Sequence, residues 1–473
     1  MTASRAAGRQ PAGLYTLFFT EMWERFSYYG MRALLVLYLV NALEIPRAQA
    51  LELYAVYTAL VYLTPLAGGY LADRYLGARR AVLVGGLLMA LGHFAMAVPA
   101  LLHLALGLLV AGNGFFKPNI SHLVGGLYRE GDPRRDGGFT LFYMGINLGA
   151  FLSPLVCGTL GERLGWHYGF AAAGVGMVLG LGVFLRGGHR LPGADLGWPD
   201  YRLAGAVTAV TAALVAAVVF AWPWVSTWLT GAGAWAAAGL FLLAGVGGAA
   251  RRERRGPGLT PVERDRLLAI LVMAFFVVFF WMGFEQAGGT MNLFADRLTD
   301  RRLGGWEVPA SYFQAANPLY ILLLAPLFSR LWWRLDRGRW RPSVVVKQAA
   351  GLLLLGAGFA LLLVAQRRAE AQGLVGPQWL LAVYLLHTLG ELCLSPIGLS
   401  MVTKLAPARW LSLLLGLWFS AMALANYLAG TLEALLAAGG LPLYGFLVAS
   451  SLAAGLLLLC LAPWLSRRMH GVH

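Results

Sequence analysis

The feature that most limits what this chain can fold into is repetition: apolar runs long enough to cross a bilayer recur from one end to the other. About fourteen lie near 14–41, 50–72, 81–100, 102–121, 138–160, 166–185, 203–224, 231–250, 267–293, 310–333, 344–365, 378–403, 410–436 and 441–465. Roughly 20 residues of helix span the hydrocarbon core, and every backbone polar group must be paired inside it. The expectation is an all-α polytopic membrane protein. Its 473 residues are 59% hydrophobic and 12% charged, a balance that excludes an ordinary soluble protein.

Net charge is +15, which raises the question of nucleic acid. With a cytoplasmic N-terminus, however, 27 of the 37 Lys and Arg fall in cytoplasmic segments, 7 in outside loops and 3, Arg25, Arg32 and Lys117, within spans. That bias is a topology signal meeting anionic lipid, and no nucleic-acid role is expected. The densest basic clusters are 251–255 and Arg330 to Lys347. An even number of spans keeps both termini cytoplasmic, and the first run reads as an uncleaved span without a signal peptide. Cys157, Cys393 and Cys460 sit in apolar runs as small buried hydrophobes, with no metal spacing and no disulfide framework.

The runs group as six, two and six. The expected domains are a six-helix bundle over 1–190, an inserted transmembrane hairpin with its linkers over 191–265, and a second six-helix bundle over 266–473. The hairpin has no ionisable residue between Leu203 and Ala250, so it can face lipid all round. The two six-span halves hold the buried charges, an arrangement that suits a transporter of repeated halves with a site near the bilayer midplane.

The first span holds most of those charges in "EMWERFSYYGMR". At 100° per residue, Glu21, Glu24, Arg25, Tyr28, Tyr29 and Arg32 share an arc of about 140°, and Met22, Trp23, Phe26 and Ser27 fall outside it. Each ionised group turned toward lipid costs roughly 2.5–3.5 kcal/mol even on lenient insertion scales. The stripe must therefore line a wet cavity or be paired inside the bundle. Lys117, Glu285 and Glu391 each stand alone in other spans, which makes three positive and four negative charges; one carboxylate is in excess and is a candidate to hold a proton at neutral pH. Glu433, near the outer end of its span, is expected to be interfacial. Pro118, Pro154, Pro318 and Pro396 adjoin Lys117, Ser153, Asn317 and Ser395, and each is expected to free a backbone carbonyl where a cavity or hinge exists.

These motifs carry a resemblance. "EMWERFSYYGMR" is similar to the ExxERFxYYG signature of the proton-dependent oligopeptide transporters, a branch of the major facilitator superfamily. "GGYLADRYLGARR", "GNGFFKPNIS", "FEQAGGTMN", "NPLYI" and "GELCLSPIGLS" follow in the family's order. The resemblance implies a major facilitator fold of two six-helix bundles plus a two-helix hairpin, fourteen transmembrane helices in all. It also implies a proton-coupled symporter of di- and tripeptides that works by alternating access. Under it Glu21, Glu24, Arg25 and Lys117 are the proton-coupling cluster, and Glu285 is a gate residue that pairs with Arg32. Arg32 and Lys117 receive the peptide carboxylate, Glu391 its amino group; Tyr28, Tyr29, Tyr62, Asn147 and Asn317 bond its backbone, and Trp418 walls the pocket. For the tyrosines, Asn147 and Trp418 the residues alone fit ordinary helix packing as well as binding.

Leu51 to Tyr70 contains no histidine, where animal members have one, so coupling should rest on carboxylates. The expected partners are small peptides, protons and membrane lipids, with no cofactor beyond the proton, a monomeric state and a bacterial inner-membrane location. Family members that carry nitrate or other small anions are the alternative, and Lys117 together with Glu391 favours a zwitterion over an anion. A drug antiporter is a weaker alternative, since Arg32 and Lys117 would repel cations. No catalytic motif of an enzyme is present: HExxH, GxSxG and Walker loops are all missing.

Overall fold

The computed structural model describes residues 9–129, 131–192, 259–338 and 341–471; the hairpin expected at 203–224 and 231–250 lies outside the described residues. The helices are α1 (Ala12–Asn41), α2 (Arg47–Leu71), α3 (Ala78–Ala95), α4 (Leu102–Gly126), α5 (Arg135–Thr159) and α6 (Trp166–Gly187). After the undescribed stretch come α7 (Pro261–Phe284), α8 (Thr290–Leu298), α9 (Ala316–Arg337), α10 (Val344–Gln372), α11 (Gln378–Leu405), α12 (Leu411–Ala437) and α13 (Leu443–Arg468). Counting α7 and α8 as one, the described residues hold the six spans expected on each side of the hairpin. Among the described residues nine segments are apolar and long enough to cross a membrane by length and composition, and α1, with its four charges, is not one of them. Large apolar side chains such as Leu87, Leu91, Val175, Phe275 and Leu456 stand exposed, a surface that water would penalise and lipid accepts.

The chain divides into two compact units, Met1–Glu44 with Leu63–Pro223 and Ile45–Tyr62 with Trp224–His473. Residues 47–62 of α2 thus go with the second unit and the remainder of the helix with the first. In the first unit α1 packs on α5 and α6, and α3 on α4 and α6. The approach of α1 is close because glycines face it. A Cβ at Gly149 of α5 would run into the Met22 carbonyl and come within 2.9 Å of Phe26 N and 3.1 Å of Arg25 Cβ. On α6, Ala173 O accepts a hydrogen bond of 2.7 Å from Ser27, which fixes the rotation of α1. In the second unit α10 packs on α13 and α11, and α7 on α12. Thr260 and Glu263 form a reciprocal capping box at the start of α7, and Arg409 reaches the same Glu263 carboxylate at 3.0 Å. Between α8 and α9 a two-stranded hairpin, β1 (Arg302–Leu303) and β2 (Trp306–Glu307), turns through Gly304 and Gly305, both at positive φ as such a turn requires.

Three expectations change. The run at 267–293 is not one helix: a 3-10 turn, Glu285–Gly288, separates α7 from α8, and Glu285 begins it. Helices α4 and α5 run on through Pro118 and Pro154 without a break, although each proline still leaves the carbonyl four residues back without its helical donor; behind Pro154 that carbonyl, Ala150 O, accepts from Ser153 Oγ at 3.3 Å. Pro318 is the third residue of α9, directly behind a 3-10 turn, Ala310–Ala315, and the helix runs on across it. Cys157 and Cys393 are buried as expected, but Cys460 is exposed among the outward residues of α13.

Candidate functional site

The charged stripe of α1 is buried and internally paired. Glu21 and Arg25 are one helical turn apart, and Arg25 Nε lies 3.1 Å from Glu21 Oε1. The same guanidinium grips Glu24 with both prongs: Nε donates to Oε2 at 2.5 Å and Nη2 to Oε1 at 2.9 Å. All three residues are at least 97% buried, where charge-assisted bidentate pairing is strongest. The second oxygen of Glu21, Oε2, is buried with no hydrogen-bond partner among the described residues. Lys117, half-buried on α4, is near enough to act electrostatically on both carboxylates. Two carboxylates thus face two cations, and a proton taken up by either acid leaves one cation short of its counter-charge.

Further along the stripe, the Arg25 guanidinium sits over the Tyr28 ring at 5.1 Å and that of Arg32 over Tyr29 at 5.8 Å. The two tyrosine rings meet edge to face at 5.2 Å. Arg32 is 9% exposed, so its charge is held largely within the protein. Asn147, buried on α5, donates from Nδ2 to the Tyr143 carbonyl of its own helix at 3.0 Å. The first unit therefore gathers Glu21, Glu24, Arg25 and their aromatic neighbours on α1, with Lys117 on α4; Glu285, the remaining member of the expected coupling group, lies in the second unit.

The second unit holds a separate acidic centre. Asn317 on α9 donates from Nδ2 to Glu391 Oε2 at 2.8 Å and to Thr388 Oγ1 at 3.0 Å. Thr388 in turn donates to the Tyr384 carbonyl at 2.7 Å, which leaves its oxygen aimed to accept from Asn317. Glu391 is 8% exposed and feels the charge of Glu285, itself buried at the 3-10 turn. Gln286 anchors that turn by donating to Ala429 O of α12 at 2.7 Å, and Thr290 donates to Gln286 Oε1 at 2.7 Å. Trp418 is buried on α12 and Tyr62 half-buried on α2. Glu433 forms an ion pair with Arg47 at 2.9 Å, with both side chains about a third exposed.

A continuous signature on one helix and an acid centre on the other unit invite comparison with known proteins. The sequence profile of the POT family matches residues 79–228 and 251–444. The chain belongs to the POT family. Among its relatives, a peptide transporter of Yersinia enterocolitica is 40% identical over 453 residues, covering 89% of this chain and 87% of that protein. A di-/tripeptide transporter of Lactococcus lactis is 35% identical over 452 residues, covering 87% of each. A crystal structure of a POT peptide transporter in complex with sulfate superimposes with a TM-score of 0.82 at 39% identity, covering 98% of this chain and 96% of that one. The major facilitator architecture expected from the sequence is the fold of this POT chain.

Two contributors to the site of this POT member escaped the sequence reading. Thr388 precedes Glu391 by three residues and so shares its helix face, a spacing that could have flagged it. Gln286, next to Glu285, holds the turn that presents the acid, and only the contact with α12 reveals it.

Proposed function

We propose that this POT member is a proton-coupled symporter that imports di- and tripeptides by alternating access, as a monomer in the bacterial inner membrane with both termini cytoplasmic. The proton is the coupling ion, and no other cofactor enters the reading. The observation that carries it is the sharing of one buried guanidinium by two buried carboxylates, with Lys117 within electrostatic reach. A structural ion pair needs two charges; this arrangement has four groups that balance only while both acids are ionised.

In this scheme the proton goes to the cluster, and Glu21 Oε2, the oxygen without a donor, is the open position for it. Neutralising one acid loosens the hold on Lys117 or Arg25. Lys117 and Arg32 then receive the peptide's carboxylate, while Glu391, steadied by Asn317, receives its ammonium group. Tyr28, Tyr29, Tyr62 and Asn147 supply backbone hydrogen bonds, Trp418 a wall, and Glu285 the gate. On the inner side the proton leaves, the ion pairs re-form, and the cations release the carboxylate. Each conformation is favoured only by what proton and peptide bind better in it. One net positive charge carried inward gains about 2.3 kcal/mol per 100 mV, enough for roughly fortyfold accumulation.

The test separates coupling from binding. In proteoliposomes Glu24→Gln and Lys117→Ala should each abolish uptake driven by a proton gradient while leaving some counterflow exchange of dipeptide, less in Lys117→Ala because Lys117 also receives the peptide carboxylate. Concentrative uptake at the wild-type level in both variants would defeat the coupling scheme.

A further inference from the structure

A groove of about 590 Å³ opens at one end of the second unit, between the C-terminal part of α9, the start of α10 and the last turns of α13. Trp332, Leu335, Pro342, Val346, Ala350, Ala462 and Pro463 give it an apolar floor, and Arg341, Ser343, Lys347 and Ser466 stand among them. No Asp or Glu lines it among the described residues. It takes no part in the peptide scheme, whose second-unit residues lie elsewhere on α2, α9, α11, α12 and the 3-10 turn.

Three observations bear on what would occupy such a place. Cations and indoles alternate around it: Lys347 lies over the Trp332 ring at 4.8 Å, Arg337 over Trp333 at 4.0 Å, and Arg468 over Trp464 at 4.6 Å. Aromatic rings with Lys and Arg heads are the residue types that favour the level of the lipid headgroups, and the groove's surroundings have that composition. The Trp332 indole N–H, part of the lining, has no hydrogen-bond partner among the described residues. Finally, Ser343 caps α10, its Oγ accepting from Val346 N at 3.4 Å, so the positive end of a 29-residue helix adds to the charge of Arg341 and Lys347.

We propose that this groove is a binding site for one anionic phospholipid, whose phosphate is held by Arg341, Lys347 and the start of α10 while an acyl chain lies along Val346, Ala350, Ala462 and Pro463. A neutral apolar ligand would gain nothing from the positive charge at this end of the groove, and a small free anion would leave the apolar floor bare. A diacyl lipid with a negative headgroup matches both halves. The site differs from the diffuse attraction of basic loops to a charged leaflet because it needs the groove as well as the charge.

The full-length protein, purified in detergent without peptide, is titrated with phosphatidylglycerol or phosphatidylcholine, and bound lipid is counted by native mass spectrometry. The wild type should hold one phosphatidylglycerol in preference to phosphatidylcholine. Lys347→Gln should weaken it about fivefold, and Arg341→Gln with Lys347→Gln about twenty-five-fold, taking roughly fivefold per interfacial charge. Ala462→Trp, which fills the groove and keeps both charges, should abolish the preference too. Retained binding in the double variant, or in Ala462→Trp, overturns the site, the latter leaving only a diffuse charge effect. Competition by glycerol phosphate at equal concentration would likewise overturn it in favour of a free-anion site. The readout involves no transport, so it stands or falls separately from the peptide reading.

Discussion

Gly149→Ala tests whether the seating of α1 on α5 is what builds the coupling cluster. The added methyl would strike the Met22 carbonyl and press within 2.9 Å of Phe26 N and 3.1 Å of Arg25 Cβ. Two of these three neighbours are backbone atoms, so no rotamer change relieves the clash and α1 must shift. Overpacking of this kind costs typically about 1–3 kcal/mol, and an unyielding backbone partner places it near the top. Replacing a mid-helix glycine by alanine returns about 1 kcal/mol in helix propensity, so the net destabilisation should be about 2 kcal/mol. The shift falls on Arg25, whose pairing with Glu24 at 2.9 Å and Glu21 at 3.1 Å leaves little slack. Gly182→Ala is the matched control, because nothing lies within 4 Å of its would-be Cβ and only the propensity gain applies. In detergent-solubilised protein followed by intrinsic fluorescence, Gly149→Ala should melt clearly below the wild type and Gly182→Ala at or slightly above it. In proteoliposomes proton-driven uptake should fall at least tenfold in Gly149→Ala and stay unchanged in Gly182→Ala. If the two variants behave alike in both assays, close packing at Gly149 does not position the cluster.

Glu391→Ala should weaken transport of free dipeptides far more than of N-acetylated ones, because only the former present an ammonium group; equal weakening would remove Glu391 from amine recognition. Asn317→Ala deletes a bond of 2.8 Å to that carboxylate, and hydrogen bonds to charged groups are worth about 1.5–3 kcal/mol, so KM for dialanine should rise at least tenfold with counterflow otherwise intact. An unchanged KM would show that Glu391 orients itself without Asn317. In the loop before α5, hydrogen bonds from Arg134 hold the Asp132 carboxyl at about 2, below its ordinary 3.8. Its stabilisation is complete above the ordinary value and fades only as pH falls toward 2. The difference in melting between wild type and Asp132→Asn should therefore stay constant from pH 8 to 5; narrowing in that window would show that the loop pair is absent.

How much of this was legible in the sequence depends on whether a single helix carried the information. The stripe of α1 was: a period of 3.6 placed Glu21, Glu24, Arg25 and Arg32 on one face, and Ser27, left off it, turns to Ala173 of α6. Spans were legible because lipid demands long apolar helices, and α2 and α11 begin or end within a few residues of their runs. What needed a second helix was not. The break at Glu285 leaves no proline behind, since Gln286 and its bond to Ala429 hold the 3-10 turn in place. Thr388 matters through Asn317, seventy-one residues away, and Gly149 through the backbone of α1. Buried Asn147 donates within its own helix, consistent with the packing reading its sequence context allowed.

The most direct test of the central claim is uptake of labelled dialanine into sealed, oriented proteoliposomes, under an inward proton gradient and an inside-negative potential, with and without a protonophore. The account predicts accumulation above equilibrium that the protonophore abolishes. Accumulation that survives the protonophore, or none in vesicles that pass the seal test, would contradict proton-coupled peptide import by this chain.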